Sequence, residues 1–376
     1  MGAGRKKAFV EEIGSYSSSY ASPRTASAYL RNAFWNTYTH NCYGALWWCA
    51  NDQNLLTQTP YAWVAMEREL GLLKADGTPK PTLLEMEKFT SIAEENILPP
   101  HQVDALILIP SSDDRWGPAY MSFLLAKEAG FTPCFATAED PLPKEDLQLY
   151  ILPSYKGYGP VGQKRFYELL AKVEEGATLL VTSDGGTFEP FAPFGIEVES
   201  TCKASTCGQL LLDGEKEELA ISRTYHIRLM VEQEKNVRIL GRDEENRPVF
   251  TCAEYGKGKI LFLGMPLEWA LMDRANSFGE NAPPFYKVYE KAMEIAAVKS
   301  IVKKSARDLT FTVHTFPDGK MTILAFVNNS KKEMKEPLQI DPAYKVVKAV
   351  NGSFEESSSL LTIGAKEGAI LYLQKV

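Results

Sequence analysis

Two adjacent carboxylates, Glu11 and Glu12, close the run Lys7-Ala8-Phe9-Val10-Glu11-Glu12-Ile13-Gly14. Its apolar steps read as a strand, and Gly14 lets the backbone turn after it. An acid at the end of a buried strand is costly to desolvate unless it is paired or used chemically. Held rigidly there, the Glu12 carboxylate could act as a nucleophile, while strand alternation sends Glu11 to the other side. A second chemical cluster follows in Tyr43-Gly44-Ala45-Leu46-Trp47-Trp48-Cys49-Ala50 and Asn51-Asp52-Gln53. The indoles of Trp47 and Trp48 offer faces on which a sugar ring can stack, and Asp52 and Gln53 offer partners for hydroxyls. By residue type alone each group has a plainer reading. A Glu-Glu pair is commonly a solvated strand end, tryptophans are commonly core, and Glu67 and Glu69 read as a solvated face.

The elements that would position these groups alternate. Between the two strands, apolar and aromatic residues recur at three and four steps from Thr25 to His40, which predicts a helix capped by Ser22 or Thr25. The run 43–50 is nearly all apolar, as expected of a strand buried on both faces of a parallel sheet. A long loop then passes Asp76-Gly77, a turn signal, and Pro81 opens a helix reaching about Glu95. Strand, helix, strand, loop, helix is two βα units, and their polar groups lie at the strand C-terminal ends, where a (β/α)₈ barrel builds its site. A carboxylate and stacking indoles at that place suit glycoside chemistry. Retaining glycosidases use two carboxyls about 5 to 5.5 Å apart.

The ordered motifs E-I-G, G-A-L-W-W-C-A-N-D-Q and P-Y-A-W-V-A-M-E-R-E-L-G-L-L-K-A-D-G-T-P-K-P resemble the last two βα units of clan A retaining glycoside hydrolases, of the cellulase/mannanase and β-galactosidase types. The G-L-x-x-x-D-G-x-P-K-P ending carries the most specificity. The resemblance implies that Glu12 holds the nucleophile position at the end of the seventh strand. It also implies that Trp47 or Trp48 forms the sugar-binding floor, a carbohydrate substrate, and no cofactor or metal. The acid/base of that clan lies on the fourth strand, often as Asn-Glu, and no strand before Glu12 supplies it. A full barrel takes about 250 residues, so two units are expected to be completed by another chain or to come from a truncated or split gene product.

Composition narrows the alternatives. The chain has 376 residues, 45% apolar and 24% charged, with a net charge of −7. That is ordinary for a folded protein of two or three domains, and the negative charge argues against nucleic-acid binding. No run approaches the eighteen or so apolar residues of a membrane span, and no secretory leader is expected after Arg5-Lys6-Lys7. Six cysteines without metal or disulfide spacing predict reduced thiols and a cytoplasmic protein. Four scattered histidines give a zinc cluster or a triad little support.

After a linker at Asn96–His101, short buried strands and helices alternate from Val103 to Leu152, and Gly176 to Thr182 adds another strand. An antiparallel excursion over Glu197–Glu254, turning at Asp213-Gly214, precedes a last core strand at Lys259–Gly264. This predicts a doubly wound, flavodoxin-like sheet over 102–300. It resembles the class I glutamine-amidotransferase-like fold of the trimerisation domain in β-galactosidase-type hydrolases, which implies a homo-oligomer. The elbow Thr182-Ser183-Asp184-Gly185-Gly186 has no cysteine, and no His-x-Glu pair follows, so Ser183 reads as a turn residue and not a nucleophile. From 307 to 376 the pattern alternates through hairpin signals, predicting a small antiparallel β-sandwich with a packing role. The α/β class therefore comprises a partial (β/α)₈-barrel end over 1–98, the amidotransferase-like domain and the sandwich. The functional alternatives are a non-catalytic oligomerisation or carbohydrate-binding module and, further off, an amidotransferase-like hydrolase.

Overall fold

The computed structural model describes residues 8–14, 17, 20–59, 61–63, 65–111, 116–143, 146–155, 161–183, 192–200, 205–206, 210–212, 218–219, 224–225, 228–231 and 237–376. The chain divides into two compact units, one of Met1–Gln102 with Ile301–Val376 and one of Val103–Ser300.

In the first unit, β1 (Val10–Gly14) and β2 (Ala45–Trp48) form a two-stranded parallel sheet, and α1 (Pro23–Thr39) joins them. Ser22 caps α1, its hydroxyl accepting the Thr25 N–H at 3.2 Å, and Pro23 sits in the first turn where its missing N–H costs nothing. After β2 the chain runs through a one-turn helix (Ala65–Arg68) to α2 (Pro81–Glu95). Phe34, Trp35 and Tyr38 of α1 meet Phe89 of α2 edge to face at 5.4–5.8 Å. The β2 run is not buried on both faces as its composition predicts. Leu46 and Trp48 are exposed, because β1 is the only strand paired with it among the described residues.

The second unit is built on one nine-stranded sheet. Its strands are β3 (Ala105–Ile109), β4 (Pro133–Thr137), β5 (Leu149–Tyr155), β6 (Thr178–Ser183), β7 (Leu210–Leu212), β8 (Glu218–Leu219), β9 (Val237–Arg242), β10 (Pro248–Tyr255) and β11 (Gly258–Leu263), in the order β8-β7-β9-β10-β11-β6-β5-β3-β4. The run β4-β3-β5-β6-β11 is parallel, and the remaining pairs are antiparallel. Continuous apolar runs suit such strands because both faces are covered. Ala105, Ile107 and Ile109 enter one core and Leu106 and Leu108 the other. Helices α3 (Trp116–Ala129), α4 (Gln163–Glu175), α5 (Leu267–Met272) and α6 (Lys287–Ile295) complete the layers. The expected turn at Asp213-Gly214, the elbow residues Asp184-Gly185-Gly186, and Cys202, Cys207 and His226 lie outside the described residues.

The C-terminal part of the first unit adds β12 (Leu309–Thr315), β13 (Met321–Asn328), β14 (Met334–Pro337), β15 (Tyr344–Val350), β16 (Ser353–Glu355), β17 (Leu360–Ile363) and β18 (Gly368–Lys375). A sheet β12-β13-β18-β15 faces a sheet β14-β17-β16 across a core that includes Leu324, Phe326 and Leu371. Strand alternation places Ile323, Ala325, Val327 and Ile370 on the other face, where they pack against Trp35, Phe89 and Ile92 of the helices. The sandwich thus covers the apolar side of α1 and α2 within the same unit.

Candidate active site

The pairing of β1 with β2 carries an irregularity. Val10 pairs with Ala45 and Ile13 with Trp47, so three steps on β1 oppose two on β2. The extra residue falls at Glu11-Glu12, and both carboxylates are exposed. Such bulges re-aim side chains, and this one removes the strict alternation that would separate Glu11 from Glu12. Ile13 and Trp47 share the face toward α1, where Tyr29 meets the Trp47 ring edge to face at 6.3 Å. Glu12, Leu46 and Trp48 therefore fall on the opposite face of the sheet. Trp48 is 45% exposed and stands at the C-terminal end of its strand, as Glu12 nearly does on its own.

The two tryptophans consequently do different work. Trp47 is half-buried, and its indole N–H donates to the Leu70 carbonyl at 3.1 Å. Trp48 is exposed at the end of β2, opposite Gly14 in the register. The sequence offered either indole as the floor, and the register separates them.

Asp52 and Gln53 are placed away from that open face. The Asp52 Oδ1 accepts the Lys80 ammonium at 2.5 Å and the Gly71 N–H at 2.9 Å, and its side chain is only 6% exposed. Lys80 also donates to the Glu69 carbonyl at 2.9 Å, so the lysine of the D-G-T-P-K-P motif clasps the 69–71 turn to the end of β2. Gly71 permits this closeness, since a Cβ there would stand 2.3 Å from the Asn51 and Asp52 backbone. Gln53 donates its backbone N–H to the Arg68 carbonyl at 2.7 Å, and its amide reaches the Cys49 sulfur at 3.9 Å. Lys80, a neighbour of Asp52 that residue type alone did not single out, is the lysine of that motif.

In the second unit Ser183 is buried, with its hydroxyl donating to the Tyr155 carbonyl at 3.3 Å, as suits a structural residue. A buried polar cluster occupies the C-terminal ends of β5 and β6. Ser154 and Thr182 donate to Glu268 Oε2 at 2.7 and 2.5 Å, and Tyr289 lies 2.5 Å from Oε1. Burial pushes the Glu268 carboxyl above its ordinary range, against the opposing pull of these hydrogen bonds. Among the described residues no group of three His, Cys, Asp or Glu side chains is placed to hold a metal, and no helix is long and apolar enough to cross a membrane.

The fold of this chain is similar to folds found in solved glycoside hydrolases. Among solved structures it is similar to an exo-β-1,4-mannosidase from Opitutaceae bacterium strain TAV5, at 20% identity and a TM-score of 0.60 over 75% of this chain and 51% of that one. It is similar to a β-galactosidase from Bacillus circulans sp. alkalophilus, at 11% identity and 0.68 over 98% and 56%. It is also similar to α-L-fucosidase isoenzyme 2 from Paenibacillus thiaminolyticus, at 12% identity and 0.63 over 95% and 58%. The chain spans about half the length of these structures, and at such identities the likeness is one of fold. No protein-family model and no curated protein sequence matches it.

Proposed function

We propose that this chain is the C-terminal portion of a retaining glycoside hydrolase, with Glu12 as the nucleophile and Trp48 as the platform under the sugar. The observation that carries this reading is the placement of Glu12 and Trp48 on one face, at the C-terminal ends of two adjacent parallel strands. In a retaining reaction the carboxylate attacks the anomeric carbon while a second carboxyl, about 5 to 5.5 Å away, protonates the leaving oxygen. Water then attacks the glycosyl-enzyme, and the second carboxyl takes its proton. In this reading the second carboxyl belongs to six further βα units that extend β1 and β2, carried by another polypeptide or the same one. The second unit, with its flavodoxin-like strand order, acts as an amidotransferase-like oligomerisation domain of a homo-oligomer. The free thiols Cys42, Cys49, Cys134 and Cys252 suit a cytoplasmic location.

The test is hydrolysis of aryl β-galactosides, β-mannosides and α-L-fucosides. The isolated chain should show no turnover above background. Supplied with the missing βα units, it should gain activity that Glu12→Gln lowers at least about a thousandfold. Full turnover that survives Glu12→Gln sinks the assignment, and robust turnover by the isolated chain overturns the claim that its site is incomplete.

A further inference from the structure

Behind the candidate active site, on the α1 side of β2, lies a cavity of about 270 Å³. Trp47 forms one wall, the first turns of α1 and α2 contribute Pro23 and Thr82, and Asp52 and Asn54 line the rest with the 69–71 turn. The wall is held in place by the Trp47–Leu70 hydrogen bond and the Lys80 clasp described above.

Three polar groups lining this cavity retain hydrogen-bonding capacity among the described residues. The Asn54 Oδ1 is buried without a partner. Asp52 receives both of its hydrogen bonds on Oδ1, leaving Oδ2 without one in a side chain that is 94% buried. Thr82 is only 4% exposed and lines the same cavity, where its hydroxyl can donate or accept. The buried Asn54 acceptor is costly without a partner, and its place beside Asp52 and Thr82 on one cavity suits a ligand that donates to it. Two of the three are pure acceptors, one of them a carboxylate oxygen. Lys74 and Lys80 also line the cavity, Lys80 already held by Asp52 Oδ1, and the open acceptors suit a neutral ligand rich in hydroxyl donors. The volume lies just below that of drug-sized pockets, which suits one sugar ring and excludes an oligosaccharide. The indole wall adds the apolar surface against which the C–H face of such a ring packs.

We propose that this cavity is a second carbohydrate site, binding one neutral monosaccharide or similar polyol through Asn54, Asp52 and Thr82. It stands on the face of the sheet opposite Glu12, so it does not rest on the nucleophile assignment, and Glu12→Gln leaves it intact.

The experiment is an NMR titration of the intact chain with D-galactose, D-mannose and L-fucose up to about 100 mM, with inorganic phosphate as a control. It follows the Trp47 indole N–H, assigned through Trp47→Phe. A saturable shift with at least one sugar and none with phosphate is expected. Thr82→Val and Asn54→Leu should each weaken binding about tenfold, the loss of one hydrogen bond, while Trp48→Ala and Glu12→Gln change nothing. Thermal unfolding checks that each variant is folded, and the titration of the unaltered chain stands even where a variant is not. No saturable shift with any sugar, meaning a cavity filled by water alone, overturns the proposal. Binding of phosphate overturns it as well, and so does sugar binding that Trp48→Ala abolishes and Thr82→Val spares.

Discussion

Gly14 pairs with Trp48 across the two parallel strands, and a methyl group on Gly14 would stand 2.9 Å from the Trp48 carbonyl oxygen. The same methyl would lie 3.1–3.2 Å from the Trp47 ring, and Gly14 has a φ of +134°, which side chains rarely adopt. Position 14 thus sets how closely the Glu12 strand approaches both tryptophans. Gly14→Ala is expected to cost about 2 to 4 kcal/mol from backbone strain and overpacking together. Denaturant unfolding of the first unit measures it, and an unchanged midpoint would remove this glycine from the argument.

A second close approach ties the sandwich to the helices. A Cβ on Gly368 would fall 2.0–2.6 Å from the Trp35 ring, whose indole N–H donates to Glu367 Oε1 at 2.9 Å. Glu367 also takes the Lys88 ammonium at 2.8 Å. Gly368→Ala should therefore destabilise the first unit by about 3 kcal/mol. Lys88→Met, at a half-exposed ion pair, should cost less than about 1 kcal/mol. Equal losses in a thermal melt would contradict the packing explanation.

The buried Glu268 cluster makes a prediction about proton count. Tyr289 has one proton and two neighbours, Glu268 Oε1 at 2.5 Å and Ser122 Oγ at 2.8 Å. Burial favours the neutral carboxyl, which in that form would donate to Tyr289 while Tyr289 donates to Ser122. A glutamine amide offers one acceptor and one donor in nearly the same places. Glu268→Gln should leave stability near that of the parent at pH 7, whereas Glu268→Ala strands Ser154, Thr182 and Tyr289 and costs about 3 kcal/mol or more. A glutamine variant as unstable as the alanine variant would require a charged Glu268.

Asp104 gives the second unit a pH dependence of definite sign. Burial raises its carboxyl to about 6, opposed by the Thr132 N–H at 2.7 Å and by the Lys127 charge. The unfolded chain releases this proton near pH 4, so the folded form binds more protons between about pH 4 and 6. Its contribution to stability is fully present below pH 4 and is lost as pH rises through 6. Asp104→Asn should therefore be more stable than the parent above pH 6 and similar to it near pH 4. Melting curves across that range check the slope, and a gap that widens toward low pH would reverse the sign.

Much of the fold was legible because its determinants are local. The apolar runs near 103–110, 147–152 and 259–264 read as strands covered on both faces, and the structure has strands there at Ala105–Ile109, Leu149–Tyr155 and Gly258–Leu263. Ser22 or Thr25 read as the cap of α1, and the structure takes Ser22, by capping chemistry that needs no distant partner. Asp52 was ambiguous in the sequence, because a carboxylate after a tryptophan pair fits hydroxyl binding and an ion pair equally well. Which one it makes depends on Lys80, 28 residues away.

By itself, the sequence determined the order of βα units, the candidate carboxylate at Glu12 and the alternation of the last seventy residues, since periodicity and capping act within a few residues along the chain. Only the tertiary structure decided that Trp47 packs toward α1 while Trp48 is exposed, that Asp52 is bound to Lys80, and that the sandwich packs on α1. Those outcomes turn on one extra residue in the β1 register and on contacts between segments as far apart as Trp35 and Gly368. A side chain's face is set by what pairs with its strand, and that pairing is a property of the assembled sheet.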